Sequence, residues 1–242
     1  MTAYVLEDQS TYTDAAHGGA LDAATLELIA WAAQYCLAGC GDQSPPQTVC
    51  GEYGGTATVR VGTADPAKGE VAAIIRDSYP SEPGAGGWHT DEKGRPAIFV
   101  SRQYSTSLTK GAFCLAELVT HECDEAAGDA GANRFADRND GTEEALETCD
   151  RVEGDVWTTP NGVDVSNWLL PAAFDPDSAG PYDYKGTLTS QYDLTPSGYV
   201  ILRQDGAMVS DSAKAATHPS VAERLAWPSS RLRRRLTPRA KR

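Results

Sequence analysis

The chain has 242 residues, 40% of them apolar and 23% charged, with a formal net charge of -13. That length buries one substantial core and leaves little room for two, and the composition is that of a folded protein rather than a disordered or collagen-like one. The longest apolar region, residues 26 to 37, is interrupted by glutamate and glutamine and follows no basic segment, which argues against a transmembrane helix or a secretory leader; the expectation is a chain made and kept in a cytoplasm unless assembly packages it.

Residues 1–19 read as an N-terminal arm. From 20 to 37 (ALDAATLELIAWAAQYCL), Leu26, Ile29, Ala30, Ala33 and Leu37 fall at helical spacing, with Asp22 as a plausible cap. Gly39 and Gly41 end this helix, and Pro45-Pro46 marks a loop. TATVRVGT (56 to 63) alternates as a strand, and EVAAIIRDS (70 to 78) fits either a strand or a short helix. A glycine-rich loop around His89, a turn at Lys93-Gly94 and a strand from Ala97 to Ser101 then lead into a helix opened by TKGAFCLAELVTHECDEAAGD (109 to 129). Beyond Asp129 the chain is loop-like, reaches the acid-rich ALETCDRVEGDVW (145 to 157), turns at Asn161-Gly162, and runs through extended pieces (182 to 203) closed by a Pro-Ser-Gly turn. The main domain is thus expected over 20–205, with an extended arm over 206–242.

The last fourteen residues (229 to 242, SSRLRRRLTPRAKR) carry six arginines and one lysine, so removing these seven positive charges takes -13 to -20 on the remainder. Such a tail suits an acidic neighbour or nucleic acid, or is simply solvated. Six cysteines match no zinc-ribbon spacing and are expected mostly as buried thiols, a disulfide among Cys36, Cys40 and Cys50 being the lesser alternative.

The chemistry centres on His121-Glu122-x-x-Glu125. Side chains four apart share a helix face, so His121 and Glu125 can address one ion with Glu122 beside them. In HExxH hydrolases two histidines hold zinc and the glutamate activates water; here the second histidine is a glutamate. A third ligand has to come from elsewhere, and Glu147 and Asp150 are the nearest suppliers. One imidazole with two carboxylates is more anionic and more oxygen-rich than the two-histidine set, so it selects zinc less firmly and polarises water less. His89 reads as a structural loop residue first and as a completing ligand second. The alternative to any metal site is a polar cluster on a solvated helix face.

GAGGWHTDEKGRPAIFV, LAELVTHECDEAAGD, ALETCDRVEGD and YDYKGTLTSQYDLTPSGYVIL, followed by the arginine-rich tail, together resemble a group of uncharacterised proteins of tailed bacteriophages and bacterial genomes. The similarity covers roughly residues 80 to 203. The group's helix motif falls on His121, Glu122 and Glu125, its aspartate on Asp129, its acidic segment on Glu147, Cys149, Asp150 and Glu153, and its loop histidine on His89. Thr120 stands for a serine, Cys123-Asp124 for two leucines and Arg151 for a proline, and the lost leucines should loosen that helix face.

What the resemblance and the residues imply is an α+β, zincin-like domain: a mixed sheet packed on the long N-terminal helix and the HExxE helix, with an irregular C-terminal extension. The function expected is that of a virion structural protein, capsid-associated or another particle component, made in the host cytoplasm. Its metal site, with zinc the ion considered, is structural or vestigial. Its partners would be other virion proteins, reached through the C-terminal arm, with nucleic acid as a further partner for residues 229–242 and no membrane. The alternative is an active zinc metallopeptidase with Glu122 as general base.

Overall fold

Short apolar runs bounded by polar residues build one five-stranded sheet. The computed structural model describes residues 1–82, 84–91, 95–205 and 207–212. Strand β1 (Thr2–Asp8) lies between β2 (Ala57–Val61) and β3 (Glu70–Arg76); β5 (Pro96–Ser101) follows β3, and β4 (Gly87–Asp91) forms the edge. The order is β2-β1-β3-β5-β4, with the first four parallel and β4 antiparallel to β5.

The N-terminal segment is therefore an interior strand, not an arm. Tyr4, Val5 and Leu6 are buried in sequence rather than alternately, as a strand covered on both faces requires. A run of three is too short to show a period. The open segment at 70 to 78 resolves as strand β3, in which Val71, Ala73 and Ile75 point to the core on alternate positions.

Parallel neighbours need a crossover, and α1 (Ala23–Ala38) supplies the one from β1 to β2. Asp22 caps it, accepting from the Thr25 N–H at 2.7 Å. Residues 10–19, which lead into it, are held by Arg102, a fully buried side chain. Its guanidinium donates to Ser10 Oγ, Tyr12 O, His17 O and Gly19 O at 2.6 to 3.0 Å. The short helix α2 (Val49–Tyr53) precedes β2, and α3 (Leu115–Gly128) follows β5.

Helix α3 is the centre of the molecule. Leu115, Leu118 and Val119 share one apolar core with Ile29 and Leu37 of α1 and with Ile75, Ile98 and Val100 of the sheet. Thirteen of its fourteen residues are buried, four acids among them. A solvated helix face is excluded. Such a helix must satisfy its carboxylates internally.

The chain after α3 is more ordered than its Gly/Asp/Asn content suggests. Strands β6 (Phe135–Asp137) and β7 (Glu143–Ala145) join a late hairpin, β10 (Tyr199–Gln204) and β11 (Ala207–Ser212), in a second sheet ordered β11-β10-β7-β6. Strands β8 (Val156–Thr158) and β9 (Asp164–Ser166) form a separate hairpin around the expected Asn161-Gly162 turn, Gly162 taking φ 82°. The Pro-Ser-Gly turn also forms, with Gly198 N–H donating to Thr195 O at 2.9 Å. The hairpin β10–β11 crosses the boundary expected at 205/206. The Lys93-Gly94 turn and the basic tail at 229–242 lie outside the described residues.

The chain is thus a mixed α+β protein with a mixed sheet and few helices. Among the described residues no helix is long and apolar enough to cross a membrane, and all six cysteines are free thiols.

Candidate metal centre

Three segments bring their polar side chains to one place. Helix α3 presents His121, Glu122 and Glu125; β4 presents His89; and residues 147–150, between β7 and β8, present Glu147 and Asp150. His121 Nε2 lies 3.3 Å from Glu125 Oε1 and 3.3 Å from Asp150 Oδ1. His89 Nδ1 lies 3.5 Å from both Glu122 Oε2 and Glu125 Oε2, and its Nε2 is 3.6 Å from Glu147 Oε2. All six are nearly closed to solvent: His89 3%, His121 6%, Glu122 5%, Glu125 3%, Glu147 7% and Asp150 4% exposed.

Every sequence-predicted ligand is therefore in the cluster. The change concerns His89, which lies on strand β4 rather than on a loop and faces the carboxylates of the cluster. It sits on an edge strand whose start, Gly87, packs directly on Glu122: a Cβ there would stand 2.7 Å from Glu122 Cγ. Glycine is what lets strand and helix approach this closely. The same holds at the far end of α3, where a Cβ on Gly128 would lie 3.1 Å from Thr148 Cγ2, so the helix terminus can close on the 147–150 segment. Cys149 N–H then donates to Glu125 Oε1 at 3.2 Å.

Gly128 is also a signal that the HExxE reading left unused. It falls seven residues after His121, the place of the glycine in HExxHxxGxxH metallopeptidases. The third ligand of that motif would fall on Gly131, which has no side chain to offer. Asp129 does not replace it: its Oδ2 accepts the Asn133 and Arg134 N–H groups at 2.7 and 2.6 Å, while its carbonyl lies 3.1 Å from His89 Nε2. The remaining ligands have to come from β4 and from 147–150, as the geometry has them.

The electrostatics follow from burial and proximity. Burial opposes a positive imidazolium at His89, but Glu147, Glu122 and Glu125 outweigh it and hold its pKa well above the ordinary value. His121 is raised in the same way, burial being overcome by Glu125 and Asp150. Glu125, although buried, is held far below the usual carboxylate range by His121 and His89. Burial pushes Glu122 and Asp150 up, and the negative Glu125 adds to it. Protons on the two imidazoles thus supply the positive charge that a cation would otherwise bring.

The donor chemistry suits a divalent cation. His89, Glu125 and Glu147 form one group, and His121, Glu122 and Glu125 another, with ligand atoms within 4.8 Å of one another. Two ligands about 2.1 Å from one ion lie at most about 4.2 Å apart, so side-chain movements of a few tenths of an ångström close either shell. Glu122 Oε2 is buried without a hydrogen-bond partner, an arrangement that costs stability unless an ion or proton compensates it.

The loosening expected at Cys123-Asp124 does not occur: both are fully buried. The Asp124 carboxylate oxygens make no hydrogen bond, and burial pushes the acid well above its ordinary pKa. Fold and cluster together define an α+β protein with a closed imidazole–carboxylate centre. Compared with known proteins, the chain matches no family model, no curated protein and no solved structure.

Proposed function

We propose that the chain is a bacteriophage virion structural protein built on a zincin-like scaffold, in which the buried centre holds a divalent cation as part of the architecture. The closure of the donor set carries this reading. Structural metal sites are closed by protein ligands, whereas catalytic ones keep a position open for water and substrate, and here all six donors are at most 7% exposed. A cation bound by His89, Glu125 and Glu147 would tie β4, α3 and the 147–150 segment together, and one bound by His121, Glu125 and Asp150 would tie α3 to that segment. What it would supply is charge compensation and cross-linking.

The zincin-like assignment is supported by the antiparallel edge strand placed before and against the HExxE helix. The virion assignment is supported by the resemblance over residues 80 to 203. A carboxylate-rich set favours manganese or iron over zinc more than a two-histidine set does. The basic tail is proposed to dock on the acidic body of a neighbouring subunit.

Elemental analysis of the purified protein, paired with thermal unfolding before and after chelation, tests the metal. Bound cation and a lowered Tm on chelation are expected, and a metal-free protein whose Tm ignores both chelator and added cation overturns the proposal. Mass spectrometry of purified particles tests the location; presence in lysate but never in particles sinks the virion assignment.

One observation favours a second reading, an active metallopeptidase with Glu122 as general base. Among the described residues β4 is the terminal strand of the sheet order, and zincins align substrate along an edge strand. The glutamate in place of the second histidine and the pairing of Glu122 with His89 weigh against it. Peptide cleavage abolished by Glu122→Gln with the cation retained would reverse the order of the two readings.

A further inference from the structure

The donor set is larger than one ion needs. Two imidazoles and four carboxylates converge, and the two three-residue groups within them share one member, Glu125. Its two oxygens point in different directions: Oε1 is 3.3 Å from His121 Nε2, and Oε2 is 3.5 Å from His89 Nδ1. A carboxylate that faces two separate imidazoles with its two oxygens is disposed as a bridge.

Resting on the cation-binding reading above, we infer that the centre holds two divalent cations bridged by Glu125, one on the His89 side and one on the His121 side. The geometry of Glu125 carries the count of two, each of its oxygens facing a different imidazole. The charge balance agrees with it: with protons displaced by metal, Glu122, Glu125, Glu147 and Asp150 carry four negative charges, which two dications match and one does not. Uncompensated buried charge is among the most costly arrangements in a folded protein.

The tautomers fit as well. Donation from His89 Nε2–H to the Asp129 carbonyl, 3.1 Å away, leaves Nδ1 as the lone-pair donor facing Glu122 and Glu125. A ligating histidine is ordinarily oriented by such a contact on its other nitrogen. On the second side, His121 Nε2 faces Glu125 and Asp150 directly. Two histidines with four carboxylates is also the donor count of di-manganese and di-iron carboxylate centres in helical bundles; here it is assembled from a strand, a helix and a turn.

Manganese(II) is the probe. The metal-stripped full chain, titrated with manganese and read by native mass spectrometry, is expected to bind two ions. Its electron paramagnetic resonance spectrum should show an exchange-coupled pair in place of the six-line signal of an isolated ion. His89→Gln and His121→Gln should each reduce the count to one and restore the isolated-ion signal. One ion in the wild type at saturating manganese overturns the bridged pair and leaves the single-cation centre standing; no bound ion removes both. Two ions that persist in the His89→Gln, His121→Gln double variant, or two with no magnetic coupling, place them elsewhere and overturn the inference.

Discussion

Gly87→Ala tests the close approach of strand and helix without removing any ligand. Gly87 does not have a positive φ, so the backbone accepts alanine, and the restricted unfolded chain favours the variant by about 0.4–1 kcal/mol. Against this, the new Cβ would stand 2.7 Å from Glu122 Cγ and Oε1 and 3.0 Å from Cδ. Glu122 is 5% exposed and has His89 Nδ1 3.5 Å from its Oε2, so it cannot swing freely into solvent. Overfilling of a packed site costs about 1–3 kcal/mol, and the net loss should be about 1–2 kcal/mol. For a chain of this size that lowers Tm by roughly 2–8 °C. Displacing the Glu122 carboxylate should also weaken manganese binding about tenfold, equivalent to about 1.4 kcal/mol. Differential scanning calorimetry and manganese titration measure the two effects. A variant with native Tm and native affinity would refute both the tight contact and a ligand role for Glu122.

Other perturbations address the surroundings of the centre. Glu117 accepts from the Phe113 and Gly154 N–H groups, and burial raises its pKa from 4.5 to about 7. The folded state holds that proton more tightly, so the stability it contributes is complete below pH 4.5 and is lost as pH rises through 7, a change of about 3 kcal/mol. Glu117→Gln, neutral throughout, should gain on the wild type by that amount between pH 4.5 and pH 8 in denaturant titrations; a pH-independent difference contradicts the assignment. Arg102→Lys replaces a fork that reaches four acceptors with a single ammonium, and leaving two of them unpaired should cost about 2–4 kcal/mol. Hydrogen exchange should accelerate over residues 12–19 and stay slow in α3, and equal acceleration in both would show that the segment is not held independently. Deleting residues 229–242 should weaken assembly or binding to an acidic partner in a salt-sensitive way, and unchanged assembly at every salt concentration would leave the tail without a docking role.

Much of the fold could be read from local signals. The first helix with its Asp22 cap, the strands at 57–61 and 96–101, the HExxE helix and both late turns follow from periodicity and turn chemistry. Strand β1 could not, because three consecutive buried residues have no period. The four candidate ligands on α3 and at 147–150 were legible through spacing and acid content. His89 is less legible, because a glycine-rich context reads as loop, whereas Gly87 lets β4 lie against Glu122. Nor does spacing foretell the burial of α3 on all sides, which depends on both helices and the sheet closing over it. Asp124 shows the limit of composition: a charged residue type is fully buried in the helix, and burial pushes its carboxyl well above the usual range.

The donors of the centre are separated along the chain, from β4 to the turn at Asp150. Ions held between these segments, as proposed, would act on the rate at which the molecule comes apart as well as on its equilibrium stability. Opening β4 from α3, or α3 from the turn, would first require breaking coordination bonds inside a space that water barely reaches. Persistence would then be governed by slow ion release rather than by ordinary thermal breathing. On that proposal, the loaded protein would keep its fold for as long as its ions stay in place, even where free cation is scarce.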